Sequence, residues 1–304
     1  MLQNLEKKNV TMLPGLFRER MLVNRNYLLE LGTQELLQSY YLEAGIVMPD
    51  LQVLERPETA KLHWGWEAPT CQLRGHFLGH WLSAASSLIA SENDAALKAK
   101  LDEIISELAK CQELNGGEWI GPFPEKYFTR LEKELHVWSP QYVMHKLIMG
   151  LTHAYLYAGN EQALTIIRHL ADWYIRWTEK VQSTNPHAVY SGEESGMLEM
   201  WALLFETTKD PVYETLASRY SNPSLFGKLL EGKDALTNCH TNASIPWAHG
   251  AARMYEVTGD EKYKTIVELF WKCAVTDRGS FCTGSANSGE FWVPPFLSGQ
   301  YLND

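Results

Sequence analysis

Residues 137–157 read VWSPQYVMHKLIMGLTHAYLY, and the fold follows from how this stretch is parsed. Trp138-Ser139-Pro140 opens it. Ser139 is expected to cap a helix there, and Pro140 suits the first helical position, where a missing N–H costs nothing. The residues that follow are apolar nearly all round, with His145 in the first turns. Ala158-Gly159-Asn160 is a stop signal. A second helix is predicted at once, over residues 161–180. The unit is an αα-hairpin with an aromatic, polar entry and a tight exit turn.

The same unit recurs. Residues 74–90 and the stretch to Cys111 form one pair, 194–207 and the stretch to Tyr220 another, and 243–257 with the stretch to Ala274 a third. The turn residues Asp94, Asn160, Asp210 and Asp260 are 66, 50 and 50 positions apart. A period of this size built from helix pairs means a helical array. The first helix of each pair is apolar on all sides (LIMGLTHAYLYA, GMLEMWALLF), so it is expected to be buried. The second is amphipathic (EKYKTIVELFWK). Inner apolar helices ringed by outer amphipathic ones predict an all-α, (α/α)6-type toroid rather than an open solenoid, which would need polar capping repeats. Four full pairs and an N-terminal pair within residues 16–41 leave the toroid one hairpin short. Two regions are expected: a tail over 1–15 with a short strand near 9–12, and the (α/α) domain over 16–304, with minor β structure near 278–296.

With 304 residues, 45% of them hydrophobic, the chain can build one large core. Its formal net charge of −10 argues against nucleic acid and anionic membrane as partners. The N-terminus MLQNLEKKNVTML lacks the apolar core of a signal peptide, and no apolar run is long enough to span a bilayer. A cytoplasmic protein is expected. The five cysteines show no CxxC spacing and read as free thiols.

Several loops carry candidate chemistry. In CQLRGHFLGHWLSAA (71–85), His76 and His80 are i, i+4, which can bind a metal on one face or simply bond backbone and a neighbouring loop. In LNGGEWIGPFPEKYF (114–128), Trp119 between glycines suits a sugar platform or a plug in the rim. Glu193 and Glu194 precede an inner helix in VYSGEESGM, placed either to cap its N–H groups or to face the mouth. His240 opens its hairpin much as His145 does. Glu290 lies in the Gly/Ser-rich stretch RGSFCTGSANSGEFWVPP (278–295), next to Phe291 and Trp292. Aromatic neighbours could raise the pKa of such a carboxyl, as a general acid in glycoside cleavage requires.

Six stretches together resemble the β-L-arabinofuranosidases of glycoside hydrolase family 127: GWEAPTCQLRGHFLGHWLSA, NGGEWIGPFPEKYF, VWSPQYVMHKLIMGL, GEESGM, LTNCHTNASIPWAHGAARMYEVTGD and TGSANSGEFW. The likeness runs from about Leu16 to Asp304 in the family's order. It implies an (α/α)6 barrel followed by β-sandwich domains. It implies retaining cleavage of terminal L-arabinofuranose or related sugars, with a zinc-held cysteine thiolate as nucleophile. Carried over by position, Glu290 matches the catalytic acid/base, and His145 and His240 match sugar-contacting histidines. Glu194 stands where many relatives have histidine or an aromatic residue. Trp81 and Trp119 are expected to line the same mouth. The zinc ligands, a Glu-x-Cys and a Cys-Cys pair, are expected after Asp304, so no metal ligand is expected within this chain; Cys282 matches none of them. The chain alone is therefore expected to be inactive. Two rivals remain at this point: an (α/α)6 sugar epimerase using His145 and His240, and a non-catalytic sugar-binding fragment.

Overall fold

The computed structural model describes residues 5–47, 62–279 and 287–297. Among them the architecture is all-α, as expected, built of helical hairpins with one small β-hairpin. The chain forms two compact units, Met1–Arg176 and Trp177–Asp304.

The first unit contains α1 (Leu16–Glu30), α2 (Thr33–Glu43), α3 (His76–Glu92), α4 (Ala95–Leu114), α5 (Lys126–Glu132), α6 (Pro140–Ala158) and most of α7 (Glu161–Thr184). Its centre is the packing of α3 on α6. Two glycines permit the approach: a Cβ on Gly79 would sit 2.0 Å from the Lys146 carbonyl oxygen, and one on Gly150 would sit 2.6 Å from the Gly79 oxygen. The apolar faces of both helices, including Leu78, Leu82, Val143, Leu147 and Leu151, are buried, as their composition predicts.

The second unit contains α8 (Met197–Thr208), α9 (Pro211–Tyr220), α10 (Pro223–Leu230), α11 (Thr241–Thr258) and α12 (Glu261–Trp271). A short π-turn, Lys272–Thr276, extends α12. α8 packs against both α9 and α11, and α11 against α12. Leu198 lies where a Cβ on Gly250 would be, so a glycine is again needed for close helix contact.

The four exit turns share one chemistry. The residue before each turn marker is left-handed: Asn93, Gly159, Lys209 and Gly259 have φ of 53, 66, 59 and 72°. The marker then caps the next helix. Asp94 accepts from the N–H groups of Ala96 and Leu97, Asn160 from Ala163, Asp210 from Val212 and Asp260 from Lys262. An Asx side chain satisfies helix donors that have no intrahelical partner. The 50-residue spacing is thus a repeated left-handed stop followed by an Asx start.

Two local expectations change and a third holds. Residues 10–13 form no strand; the tail makes a 3₁₀ turn at Lys7–Asn9 and pairs with nothing β-like. Ser139 precedes α6 but is left-handed, φ 50°, and makes no side-chain cap, although Pro140 does take the first helical position. The expected β structure near 278–296 is present as β1 (Asn287–Ser288) and β2 (Phe291–Trp292).

Candidate active site

In the second unit, β1 and β2 are joined by Gly289 and Glu290, with φ of 53 and 69°. Two central residues of positive φ make a type I′ turn, whose twist matches the two strands. Glycine enters that conformation freely. Glutamate does so at a cost of about 1–2 kcal/mol, strain of the kind held at functional sites. The hairpin is fixed to the loop before α11. The Asn238 N–H donates to the Trp292 carbonyl, the Trp292 N–H to Cys239, and the Thr241 N–H to Glu290, at 3.1, 3.0 and 2.8 Å. His240 and Phe291 are bridged as antiparallel partners. Glu290 Oε2 consequently lies 3.9 Å from His240 Nε2. The other ring nitrogen, Nδ1, lies 3.6 Å from Glu193 Oε1. Sequence reasoning placed His240 and Glu290 at one site, and the structure brings them together across 50 positions.

Phe291 and Trp292 do not bury Glu290. Its side chain is 83% exposed. Phe291 is half exposed, and Trp292 is buried with its indole N–H donating to Ser244 Oγ at 2.6 Å. Aromatic desolvation of this carboxyl, expected from the sequence, is therefore not found.

Arg278 is the fastening that sequence reasoning missed. Its side chain is fully buried. It donates to the Val293 carbonyl at 2.7 Å, to both Asp234 oxygens at 2.8 and 2.9 Å, to Thr237 Oγ1 at 2.9 Å, and to the Cys273 carbonyl. One guanidinium thus ties the strand after Glu290, the loop before His240 and the end of α12. Burial alone would raise the Asp234 pKa, but its bonds to Thr237 and Arg278 prevail and hold it below the usual range.

Glu194 is 3% exposed. Burial pushes its pKa up to about 7, against its own N–H, Trp247 and Asn222, which favour the charged form. Trp247 Nε1 donates to Glu194 Oε1 at 3.3 Å. Asn222 Oδ1 caps α10, accepting from Ser224 and Leu225. The structure therefore surrounds Glu194 with protein donors rather than opening it to a sugar, and Glu193, its neighbour, faces the histidine.

In the first unit, His145 sits in α6, 7% exposed. Burial first, then the cationic forms of Lys146, His80 and His153, lower its pKa well below 6.5, so the ring is neutral at physiological pH. The rings of His76 and His80 are 6.0 Å apart and nearly perpendicular. His76 Nδ1 lies 2.6 Å from Glu67 Oε1 and 3.1 Å from the Leu73 carbonyl. Glu67 in turn accepts from the N–H groups of Gly75 and Phe77 at the start of α3.

Both tryptophans proposed from sequence are core residues. Trp81, 1% exposed, donates to the Leu28 carbonyl. Trp119, 3% exposed, donates to the Phe123 carbonyl and packs against Phe123, Phe128 and Trp173. Gly121 leaves room for its ring, whose Cζ2 lies 2.1 Å from where a Cβ would be. Neither indole offers a face to a ligand. Cys282 lies outside the described residues.

These contacts place the Glu290 carboxylate beside the His240 imidazole on an all-α hairpin scaffold. The chain belongs to the β-L-arabinofuranosidase family: the glycoside hydrolase family 127 catalytic domain matches residues 9–301. Its fold is similar to the crystal structure of a family 127 β-L-arabinofuranosidase from Geobacillus stearothermophilus T6, with a TM-score of 0.61 and 15% identity over 94% of this chain. The match covers 48% of that structure, so the chain spans about half its length. No curated protein sequence matches the chain.

Proposed function

We propose that this chain is the acid/base-bearing portion of a retaining glycoside hydrolase that removes terminal β-L-arabinofuranosyl or related residues from glycans. The observation that carries the reading is Glu290 at the tip of its turn, 3.9 Å from His240 Nε2, within a family 127 catalytic domain. Glu290 first protonates the departing glycosidic oxygen and later takes a proton from the attacking water. Its exposed side chain reaches outward to a substrate, while its backbone is held by Thr241. His240 is proposed to bind a sugar hydroxyl through its ring nitrogens.

The resemblance also implies zinc and a cysteine nucleophile. Among the described residues no group of three or more His, Cys, Asp or Glu could hold a metal ion, so these residues do not fit that site. Its ligands are proposed to follow Asp304 in a longer protein. The proposed partner is a carbohydrate; the net charge of −10 disfavours nucleic acid and anionic lipid. Among the described residues no helix is long and apolar enough to cross a membrane. A cytoplasmic location rests on the sequence alone.

The test is to express the 304-residue chain and a version extended through downstream cysteines, then to measure bound zinc and hydrolysis of an aryl β-L-arabinofuranoside. Turnover and zinc in the extended protein alone support the reading. Zinc-stimulated turnover by the shorter chain would overturn the placement of the metal site. Sugar binding without hydrolysis in both would mark a non-catalytic lectin-like protein.

A further inference from the structure

Where Trp81 and Trp119 are buried, Trp64 and Trp66 are 67 and 64% exposed. We propose that Trp66, with the imidazoles of His76 and His80 beside it, forms a carbohydrate-binding surface of the first unit, on which a sugar ring stacks by its C–H face. The ligand class rests on the glycoside hydrolase reading of the chain; the surface itself uses neither Glu290 nor His240.

The loop that carries the two indoles is fastened at both ends. Gln38 of α2, 2% exposed, donates to the carbonyls of His63 and Glu67 at 2.8 and 2.7 Å and accepts from the His63 N–H at 2.8 Å. The Glu67 carboxylate accepts from the N–H groups of Gly75 and Phe77 at 2.6 and 3.0 Å, and lies 2.6 Å from His76 Nδ1. Between these ties the backbone closes a turn, with the Glu67 N–H donating to the Trp64 carbonyl and the Ala68 N–H to Gly65. An indole left in water forgoes the burial that stabilises Trp81 and Trp119. Held open on a fixed loop, it is already in the conformation that a ligand would cover, so little ordering is lost on binding.

The polar half of the surface follows from the start of α3. The Trp66 ring touches the His76 ring edgewise at 6.2 Å, and its exposure leaves most of the indole open. With Nδ1 of His76 engaged by Glu67 and the Leu73 carbonyl, Nε2 is the nitrogen left for a hydroxyl. His80, one turn further on, is exposed, and its ring is 6.0 Å from that of His76. Desolvation of part of the ring first, then the charges of Lys146 and His76, push its pKa down to about 4. The imidazole is therefore neutral at physiological pH and both donates and accepts. A sugar presents a flat C–H face and an edge of hydroxyls that also donate and accept. An aromatic platform with a few polar groups at its side matches both halves. A purely apolar ligand would leave the imidazoles unused. Ring-to-ring steps of 6.2 and 6.0 Å set the scale of one or two sugar residues.

The 304-residue chain labelled with 5-fluorotryptophan gives one ¹⁹F signal per indole, and Trp66→Phe assigns that of Trp66. It is titrated with methyl β-L-arabinofuranoside and with a β-L-arabinofuranosyl disaccharide. The Trp66 signal is expected to shift saturably, while those of Trp81 and Trp119 stay in place. By calorimetric titration, Trp66→Ala is expected to weaken binding of the disaccharide about tenfold, the scale of one aromatic contact, and Trp66→Phe by less. His80→Ala is expected to weaken it as well. Unchanged Trp81 and Trp119 signals in each variant control for folding. A Trp66 signal indifferent to both sugars, or wild-type affinity in Trp66→Ala, overturns the inference and leaves Glu290 as acid untouched. If instead the extended protein keeps full turnover as Glu290→Gln, the acid assignment fails while a sugar-dependent Trp66 signal still supports this surface.

Discussion

Replacing Glu194 by Gln should change the pH dependence of stability in a calculable way. Glu194 is buried and its pKa is raised from 4.5 to about 7. For an acid, the folded state then holds the proton more tightly than the unfolded state does. Below about pH 4.5 both states are protonated and nothing is lost. Between about pH 4.5 and 7 the unfolded chain ionises first, so stability falls as pH rises. Above about pH 7 the loss levels off at ~3 kcal/mol, from 1.36 kcal/mol for each of about 2.5 pKa units. Glutamine keeps an oxygen for the Trp247 indole but cannot ionise. Its amide also meets Asn222, which adds an offset that does not vary with pH. The predicted quantity is therefore the difference between Glu194→Gln and wild type: it should move in favour of the variant by about 2–3 kcal/mol from pH 5 to pH 8. Urea denaturation at intervals across that range measures it. Parallel stability curves for the two proteins would refute the claim that Glu194 carries this buried charge.

Arg278→Met should leave Asp234 without its ionic partner and free Val293 and Cys273 from their donor. Breaking a buried pair from one side costs about 3–5 kcal/mol, to be read from the denaturation midpoint, with a change in the near-ultraviolet signal of Trp292. Retained stability would show that the guanidinium does not fasten the hairpin. Gly79→Ala would place a Cβ 2.0 Å from the Lys146 oxygen and push α3 off α6. A loss of about 1–3 kcal/mol is expected, and an unchanged melting temperature would contradict the packing.

The hairpin array was legible because its signals are local. A left-handed residue followed by Asp or Asn is written in neighbouring positions, and it recurs at Asp94, Asn160, Asp210 and Asp260. α5 and α10 were not foreseen. The first follows a Gly/Pro-rich loop, and the second begins at Asn222-Pro223, a pair that reads as a turn although Asn222 is an N-cap. Trp81 and Trp119 show where residue type runs out: an indole beside glycine describes both a platform and a buried plug, and only packing separates them. Glu193 and Glu194 are adjacent in sequence, yet one faces His240 and the other is enclosed by Trp247 and Asn222. The positive φ of Glu193 marks that divergence, and nothing in VYSGEESGM announces it. The Asp234–Arg278 clamp joins residues 44 positions apart, beyond the reach of any local pattern.

Glu290 as the proton donor is the centre of the account, and the most direct measurement is the hydrolysis rate of a β-L-arabinofuranoside with a poor leaving group. It should be made on the extended protein with and without Glu290→Gln. A glutamine cannot protonate the departing oxygen, so kcat should fall by about 10²–10⁴-fold, the range general acid catalysis supplies, while bound zinc stays the same. Turnover within a few-fold of wild type, with zinc unchanged, would show that the proton comes from elsewhere.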